Sequence, residues 1–275
     1  MTTAPPPSPL ASPEPWDFLA EAYEAEVVPQ LERFAREALS LAAPPVGAQI
    51  ADVACGPGTL ALLAAQEGFP VDAVDFSTEM VARLDRRARS LGIQGVTARV
   101  GDGQALPLPD GAYGAAFSLF GLMFFPDRAR GFAELRRILR PGARAVVSSW
   151  PAIDRIPALA AMLGAVIQAL PKPAGGNPPP APPLSTVEAC LEEMGKSFGD
   201  VTVHPVSTST AFPSALALWQ SLERSMPPLV LMRRQVGGER WAPASRAGAD
   251  ALARVLGTGP VSLEMHAWLT VGAAR

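Results

Sequence analysis

The sequence predicts an α/β domain built on a mostly parallel sheet, and three observations predict it. From Ala48 onward, short β-rich runs alternate with helical ones. Five of those runs are too short and too apolar for a half-exposed sheet, as strands covered on both faces are. A glycine-bearing turn, Gly56-Pro57-Gly58, follows directly on the first run and leads into a helix. At 275 residues the chain suits one domain with lid elements better than two full domains. Hydrophobic residues at 48% and charged ones at 18% exclude a chain disordered throughout.

Taken in order, residues 1–15 are rich in proline and small polar residues, a composition that predicts a disordered tail. Glu21–Leu41 carries Val27, Leu31, Phe34, Ala38 and Leu41 on one helical face, with Pro29 kinking the helix or opening its regular part. The strands read as Gln49–Ala54, Val71–Asp75, Val96–Val100, Gly114–Leu119 and Ala143–Ser149, giving five βα units. Ser77 is placed to cap a helix that turns Met80, Leu84, Ala88 and Leu91 inward and stops at Gly92. Asp127 takes the same capping position before Phe132, Leu135 and Leu139.

Beyond Trp150 the pattern gives a helix at Ile156–Leu170 and a proline-rich loop at Pro171–Pro183. Ser185 and Glu188 have the spacing of a capping box for a helix ending near Gly195. A strand at Val201–Thr208, a helical insertion over Ser214–Leu256 and a last strand at Val261–Val271 complete the chain.

A net charge of −3 offers no field for a polyanion, so nucleic acid is not an expected partner. Cys55 and Cys190 are too few for a disulfide framework and lack the spacing of a zinc site, so no metal is expected and a reducing cytoplasm fits. No basic cluster followed by an apolar core opens the chain, and the longest mostly apolar stretch, Ala112–Phe125, is too short for a bilayer. Neither secretion nor membrane insertion is expected.

The chemistry is concentrated at the ends of the first three strands. Glycines at 56 and 58 let backbone amides approach a ligand, and the following helix adds partial positive charge. Gly56-Pro57-Gly58-Thr59-Leu60-Ala61 also satisfies a dinucleotide pattern, so an NAD(P)-dependent oxidoreductase has to be weighed. Asp52 is a carboxylate late in an otherwise apolar strand, where a charge needs a partner. Asp75 ends the second strand at a position suited to ribose hydroxyls, and Asp102, just after the third, is placed to accept from an adenine amino group.

These pieces resemble the class I S-adenosylmethionine-dependent methyltransferases, in particular the small-molecule enzymes related to quinone-biosynthesis methyltransferases. The likeness runs over residues 16–150 and rests on Asp52–Gly58, Val74-Asp75-Phe76-Ser77 with Met80, and Gly101-Asp102-Gly103-Gln104-Ala105-Leu106-Pro107. Ser118-Leu119-Phe120 and Leu139-Arg140-Pro141-Gly142 complete the order, while Gly114 stands where the family often has an aspartate and Pro57 stiffens the glycine turn.

The resemblance implies a Rossmann-like, seven-stranded, mostly parallel sheet with an antiparallel last strand at its edge and helical lid insertions. It divides residues 16–275 into a cofactor-binding core at 45–150 and lid or substrate elements at 16–44, 151–200 and 213–257. It implies S-adenosylmethionine as cofactor, with Ala54, Gly56 and Gly58 along its methionine moiety and Asp52 near the amino group. Asp75 would hold the ribose, Phe76 and Met80 flank adenine, and Asp102 and Gly103 bind its edge. Ser118 and Leu119 would sit beneath the sulfonium, and Tyr23 would cover the cofactor.

The implied reaction is O- or C-methylation of a small molecule such as a natural product or quinone-like compound. Met123, Phe124 and Trp150 are candidates to face that acceptor, with the loops after the fourth and fifth strands and the Ser214–Leu256 insertion building the pocket. His204 and His266 are the candidates for a general base, although histidines on strands so far from the motifs are ordinarily structural. The acidic or polar tetrapeptide of amino-methylating nucleic-acid enzymes is absent at Ser118-Leu119-Phe120-Gly121. A non-catalytic S-adenosylmethionine-binding module is the other alternative.

Overall fold

Strands that are apolar on both sides need cover on both faces, and the chain supplies it with two helical layers. The computed structural model describes residues 8–171 and 182–275. One sheet contains β1 (Ile50–Val53), β2 (Val71–Asp75), β3 (Val96–Val100), β4 (Tyr113–Leu119), β5 (Leu139–Ser149), β6 (Gly199–Phe212) and β7 (Val261–Ala273). Their order is β3-β2-β1-β4-β5-β7-β6. The first five strands run parallel, and β7 is antiparallel to both β5 and β6.

The helices are α1 (Glu14–Ala22), α2 (Val28–Ala42), α3 (Thr59–Gln66), α4 (Thr78–Leu91), α5 (Arg128–Ile138), α6 (Pro157–Ala169), α7 (Val187–Gly195), α8 (Ala215–Ser225), α9 (Pro227–Val236) and α10 (Gly238–Leu256). On one face Phe34, Leu60, Leu63 and Leu84 from α2, α3 and α4 pack on Ile50, Ala73, Phe117 and Leu269. On the other, Phe132, Leu135 and Met194 from α5 and α7 pack on Val53, Val74 and Val147. A third core joins α6, α8, α9 and α10 to the far end of β7 through Met162, Trp219, Leu229, Trp241 and Leu263.

Local signals are realised where one side chain suffices. Ser77 Oγ accepts from the Met80 amide at 3.1 Å and Asp127 Oδ1 from that of Arg130 at 3.0 Å, and Gly92 ends α4 in the left-handed region at φ 65°. Leu91, read as inward, is 58% exposed at the frayed last turn, while Met80 and Leu84 carry the packing.

Several expectations are corrected. The tail read as disordered over 1–15 is structured at 8–15, and residues 1–7 lie outside the described residues. Ser8 caps a 3₁₀ turn at Pro9–Ala11, buried Leu10 accepts from Trp16 Nε1 at 3.0 Å, and α1 begins at Glu14. Prolines sit there at turn and helix starts, where a missing N–H leaves no bond unmade. The first helix therefore starts seven residues earlier than its periodicity suggested and is interrupted by a π turn at Tyr23–Val27.

No helix separates β3 from β4, because residues 101–112 form a loop, so four βα units stand where five were read. The cap of α7 is Thr186 rather than Ser185: Thr186 Oγ1 accepts from Ala189, while Ser185 is buried and its carbonyl receives Trp268 Nε1. β6 extends well beyond Val201–Thr208 and takes the sheet edge. β7 is antiparallel as implied but interior, since β6 pairs along almost its whole length. Of the Pro171–Pro183 loop, residues 172–181 lie outside the described residues.

Candidate functional site

The site is assembled where β1, β2 and β4 end. The chain leaves β1 through Ala54 at φ 56°, Gly56 at φ 54° and Gly58 at φ 83°, which caps α3. An alanine in that backbone region carries strain of a kind concentrated at ligand sites. At Gly58 a Cβ would lie 2.2 Å from Leu84 Cδ1, so glycine is required for space as well as for conformation. Arg87 donates to the Pro57 carbonyl and ties the turn to α4.

Two carboxylates hold this turn from beneath. Asp52 Oδ2 accepts from the Ala61 amide at 3.1 Å, and Asp75 accepts from Gly56 at 2.8 Å and from Ser77 at 2.9 Å. Both are buried, at 2% and 5% exposure, and neither has a basic partner among the described residues. Burial pushes Asp52 up to about 7 and Asp75 up to about 6. Burial, with the nearby charge of Asp75, raises the Tyr23 phenol well above its ordinary range, so Tyr23 stays protonated and can donate. Cys55 is likewise pushed up by burial and is no thiolate.

Above the turn lie two connected chambers that share Tyr23, Ala54, Gly56, Leu119 and Phe120. The larger, about 680 Å³ including its mouth, is also lined by Asp75, Phe76, Met80, Asp102 and Gly103. The smaller reaches down to Asp52, Thr59 and Leu60. Gly103 must lack a side chain, because a Cβ would meet Phe125 at 2.4 Å. Asp102 is exposed, and its Oδ1 is held by the amide and side chain of Gln104.

Ten of the twelve residues implied by the resemblance thus line the chambers. Gly58 and Ser118 lie just behind them, Ser118 accepting from the Leu122 amide at 3.2 Å.

Among the acceptor candidates, Phe124 lines the larger chamber, while Met123 is 6% exposed and packs in the core. Trp150 is covered: Phe120 stacks on it with ring centroids 3.8 Å apart, and Phe34 meets it edge-on. Among the described residues none beyond Pro126 lines either chamber, so the loop after β5 and the Ser214–Leu256 insertion do not wall the site as expected. The insertion reaches it indirectly, through Ser221 and Arg224 bonded to Glu26 in the π turn. His204 lies on edge strand β6 beside Thr202, and His266 lines a separate cavity; neither reaches the chambers. No group of three or more His, Cys, Asp or Glu among the described residues could hold a metal, and no described helix is long and apolar enough to cross a membrane.

Sequence reasoning missed the strap over the larger chamber. Leu10, Ala11 and Trp16 line it, and the Trp16 ring packs on Phe124 at 5.3 Å and on Tyr23 at 6.1 Å. Asp17 fastens the strap, accepting from Ser77 Oγ at 2.5 Å and from the Glu79 amide at 3.1 Å. Trp16 followed by Asp17 in a proline-rich stretch was the available signal. Phe120 was also missed as a lining residue; its φ of 59° turns the ring off the strand direction.

Residues 50–142, which carry the turn and the carboxylates, match the family described as "Methyltransferase domain". Over that segment, about a third of the chain, the sequence is similar to methyltransferase domains. A demethylmenaquinone methyltransferase of Thermus thermophilus is 38% identical over 121 residues, 43% of this chain and 54% of that protein. The match therefore spans about half the length of that curated relative.

Among solved structures, the [4+2]-cyclase SpnF superposes with a TM-score of 0.62 at 18% identity, covering 97% of this chain and 96% of SpnF. Phosphoethanolamine N-methyltransferase 2 of Haemonchus contortus, solved with S-adenosyl-L-methionine, superposes with a TM-score of 0.57 at 16% identity, covering 94% and 57%. At such identities the two structures establish the fold and nothing finer.

Proposed function

We propose that the chain binds S-adenosylmethionine in the two chambers and transfers its methyl group to a small-molecule acceptor, by O- or C-methylation of a natural product or quinone-like compound. The observation that carries the choice of cofactor is Asp52. A buried carboxylate without a basic partner, bordering a ligand chamber, favours a cationic ligand and opposes the pyrophosphate of a nicotinamide dinucleotide.

In this reading Asp52 faces the methionine amino group and the left-handed turn at Ala54–Gly58 presents amides to that end. Asp75 keeps acceptor lone pairs for ribose hydroxyls beyond its bonds to Gly56 and Ser77. Phe76, Met80 and the bare backbone of Gly103 flank the base, with Asp102 at its amino edge. When bound, the cofactor supplies an electrophilic methyl group on a sulfonium centre. Leu119, Phe120, Phe124 and Trp16 keep the neighbourhood apolar and exclude water. Among the described residues no Lys, Arg or His lines either chamber, which suits an uncharged acceptor better than a phosphorylated one.

Calorimetric titration tests the cofactor. S-adenosylmethionine and S-adenosylhomocysteine should each bind one to one, and Asp75→Ala should weaken both by about tenfold or more, the loss of hydrogen bonds to a charged group. Equal binding by the variant, or a response to NADH and none to S-adenosylmethionine, would refute the reading. A labelled-cofactor screen of phenols, polyketides and quinols then reads the acceptor.

A further inference from the structure

A second cavity lies on the β6–β7 hairpin and shares no lining residue with the two chambers. Cross-strand pairing sets Pro205 opposite Trp268 and Ser207 opposite His266, so the four side chains stand together on one face. The turn after β5 brings Pro151 and Arg155 over them, around about 580 Å³ of space open to solvent. Since Trp268 pairs with Ser149 at the end of β5, the cavity opens on the same rim of the sheet as the chambers, with Trp150 between.

Its polar groups are uncommitted. Arg155 has no carboxylate partner and no aromatic ring beneath it among the described residues, and the Ser207 hydroxyl makes no hydrogen bond with them. Among the described residues His266 has one carboxylate within 4 Å, that of Glu264 at 3.9 Å. Trp268 is the fixed element: its Nε1 donates to the Ser185 carbonyl at 3.1 Å, which sets the tilt of the ring. Glu264 opposes an anion, but it is 63% exposed at the solvent end of the face, where water and salt screen it.

We propose that this cavity binds an organic anion, a carboxylate or phosphate monoester carried on a flat ring. The guanidinium of Arg155 takes two acceptor oxygens in its planar fork, Ser207 and His266 donate beside it, and the ring lies against Trp268 between the prolines. An inorganic ion would leave the apolar walls unused, and a neutral ring would leave Arg155 unmet. The site stands apart from the methyl-transfer reading, and either can fail without the other.

Phenyl phosphate and benzoate, titrated into the full chain with calorimetry and tryptophan fluorescence as readouts, test it. Both should bind and perturb the emission, and Trp268→Phe should remove most of the fluorescence change. Arg155→Ala should weaken both ligands by about tenfold or more, with partial recovery in Arg155→Lys. Circular dichroism and thermal unfolding of the same samples report whether each variant is intact.

Inorganic phosphate and benzyl alcohol, each with half of the recognised chemistry, should bind at least about tenfold more weakly than phenyl phosphate. No binding of either aromatic anion to the parent, undiminished binding to Arg155→Ala, or benzyl alcohol or inorganic phosphate binding as tightly as phenyl phosphate would each overturn the proposal.

Discussion

Asp52→Asn should make the cofactor-free protein more stable at alkaline pH while weakening its hold on the cofactor. Burial raises the Asp52 carboxyl from 3.8 to about 7, so the folded chain binds this proton more tightly than the unfolded chain. The sign follows from that difference. Above pH 7 the folded state carries a buried charge, and the cost is fully present; it is relieved as pH falls through 7 and vanishes below about 4. A rise of that size corresponds to about 4 kcal/mol at pH 8 and about 1.5 kcal/mol at pH 5. The asparagine carbonyl can still accept from Ala61, so the variant loses the charge and keeps the bond.

Urea unfolding of parent and variant at both pH values, without cofactor, measures the effect. The stabilisation should be larger at pH 8 than at pH 5 by about 2–3 kcal/mol. Saturating S-adenosylmethionine should narrow or reverse the gap, because a cationic ligand compensates the charge only in the parent. A variant destabilised equally at the two pH values would refute the claim that Asp52 is an uncompensated buried charge.

Gly58→Ala should lower stability by about 2–4 kcal/mol, combining a left-handed alanine with a Cβ driven against buried Leu84, and thermal unfolding should fall by about 5–15 °C. Asp17→Ala removes the acceptor of Ser77 Oγ and of the Glu79 amide, and should cost about 1 kcal/mol, read as faster hydrogen exchange confined to the strap and α1 with weaker cofactor binding. Unchanged exchange there would show that the strap is held by other contacts.

What the sequence disclosed and what it hid follow one physical division. Ser77 and Asp127 were legible as caps because each acts on an amide three residues away. Ser185 was misread because its neighbour Thr186 carries the same capping chemistry one position later, and only the chain's path decides between them. The strap, signalled only by Trp16 beside Asp17, was overlooked for another reason. Its order comes from Trp16 meeting Phe124 and from Asp17 meeting Ser77, partners 108 and 60 residues away in the numbering, whereas local composition argued only for disorder. Trp150 was read as facing the acceptor, yet the left-handed backbone of Phe120 lays another ring over it, and no periodicity reports such a turn.

The strap and the ribose carboxylate are coupled through the same few amides. Asp17 accepts at the N-terminus of α4 from Ser77 Oγ and Glu79, and Asp75 accepts from the Ser77 amide directly beside them. Two carboxylates so near repel, and the charge of Asp17 contributes to the raised value of Asp75. Their coexistence rests on the unpaired N–H groups and positive end of α4, which favour negative charge within the first turn. Fastening the strap therefore makes Asp75 harder to ionise in the empty site. A ligand that donates hydroxyl hydrogens to Asp75 favours its charged form, and so offsets what the closed strap imposes. Through the charge of Asp75, cofactor binding and strap closure therefore oppose each other, and any gain from closing has to come from Leu10, Ala11 and Trp16 covering the chamber.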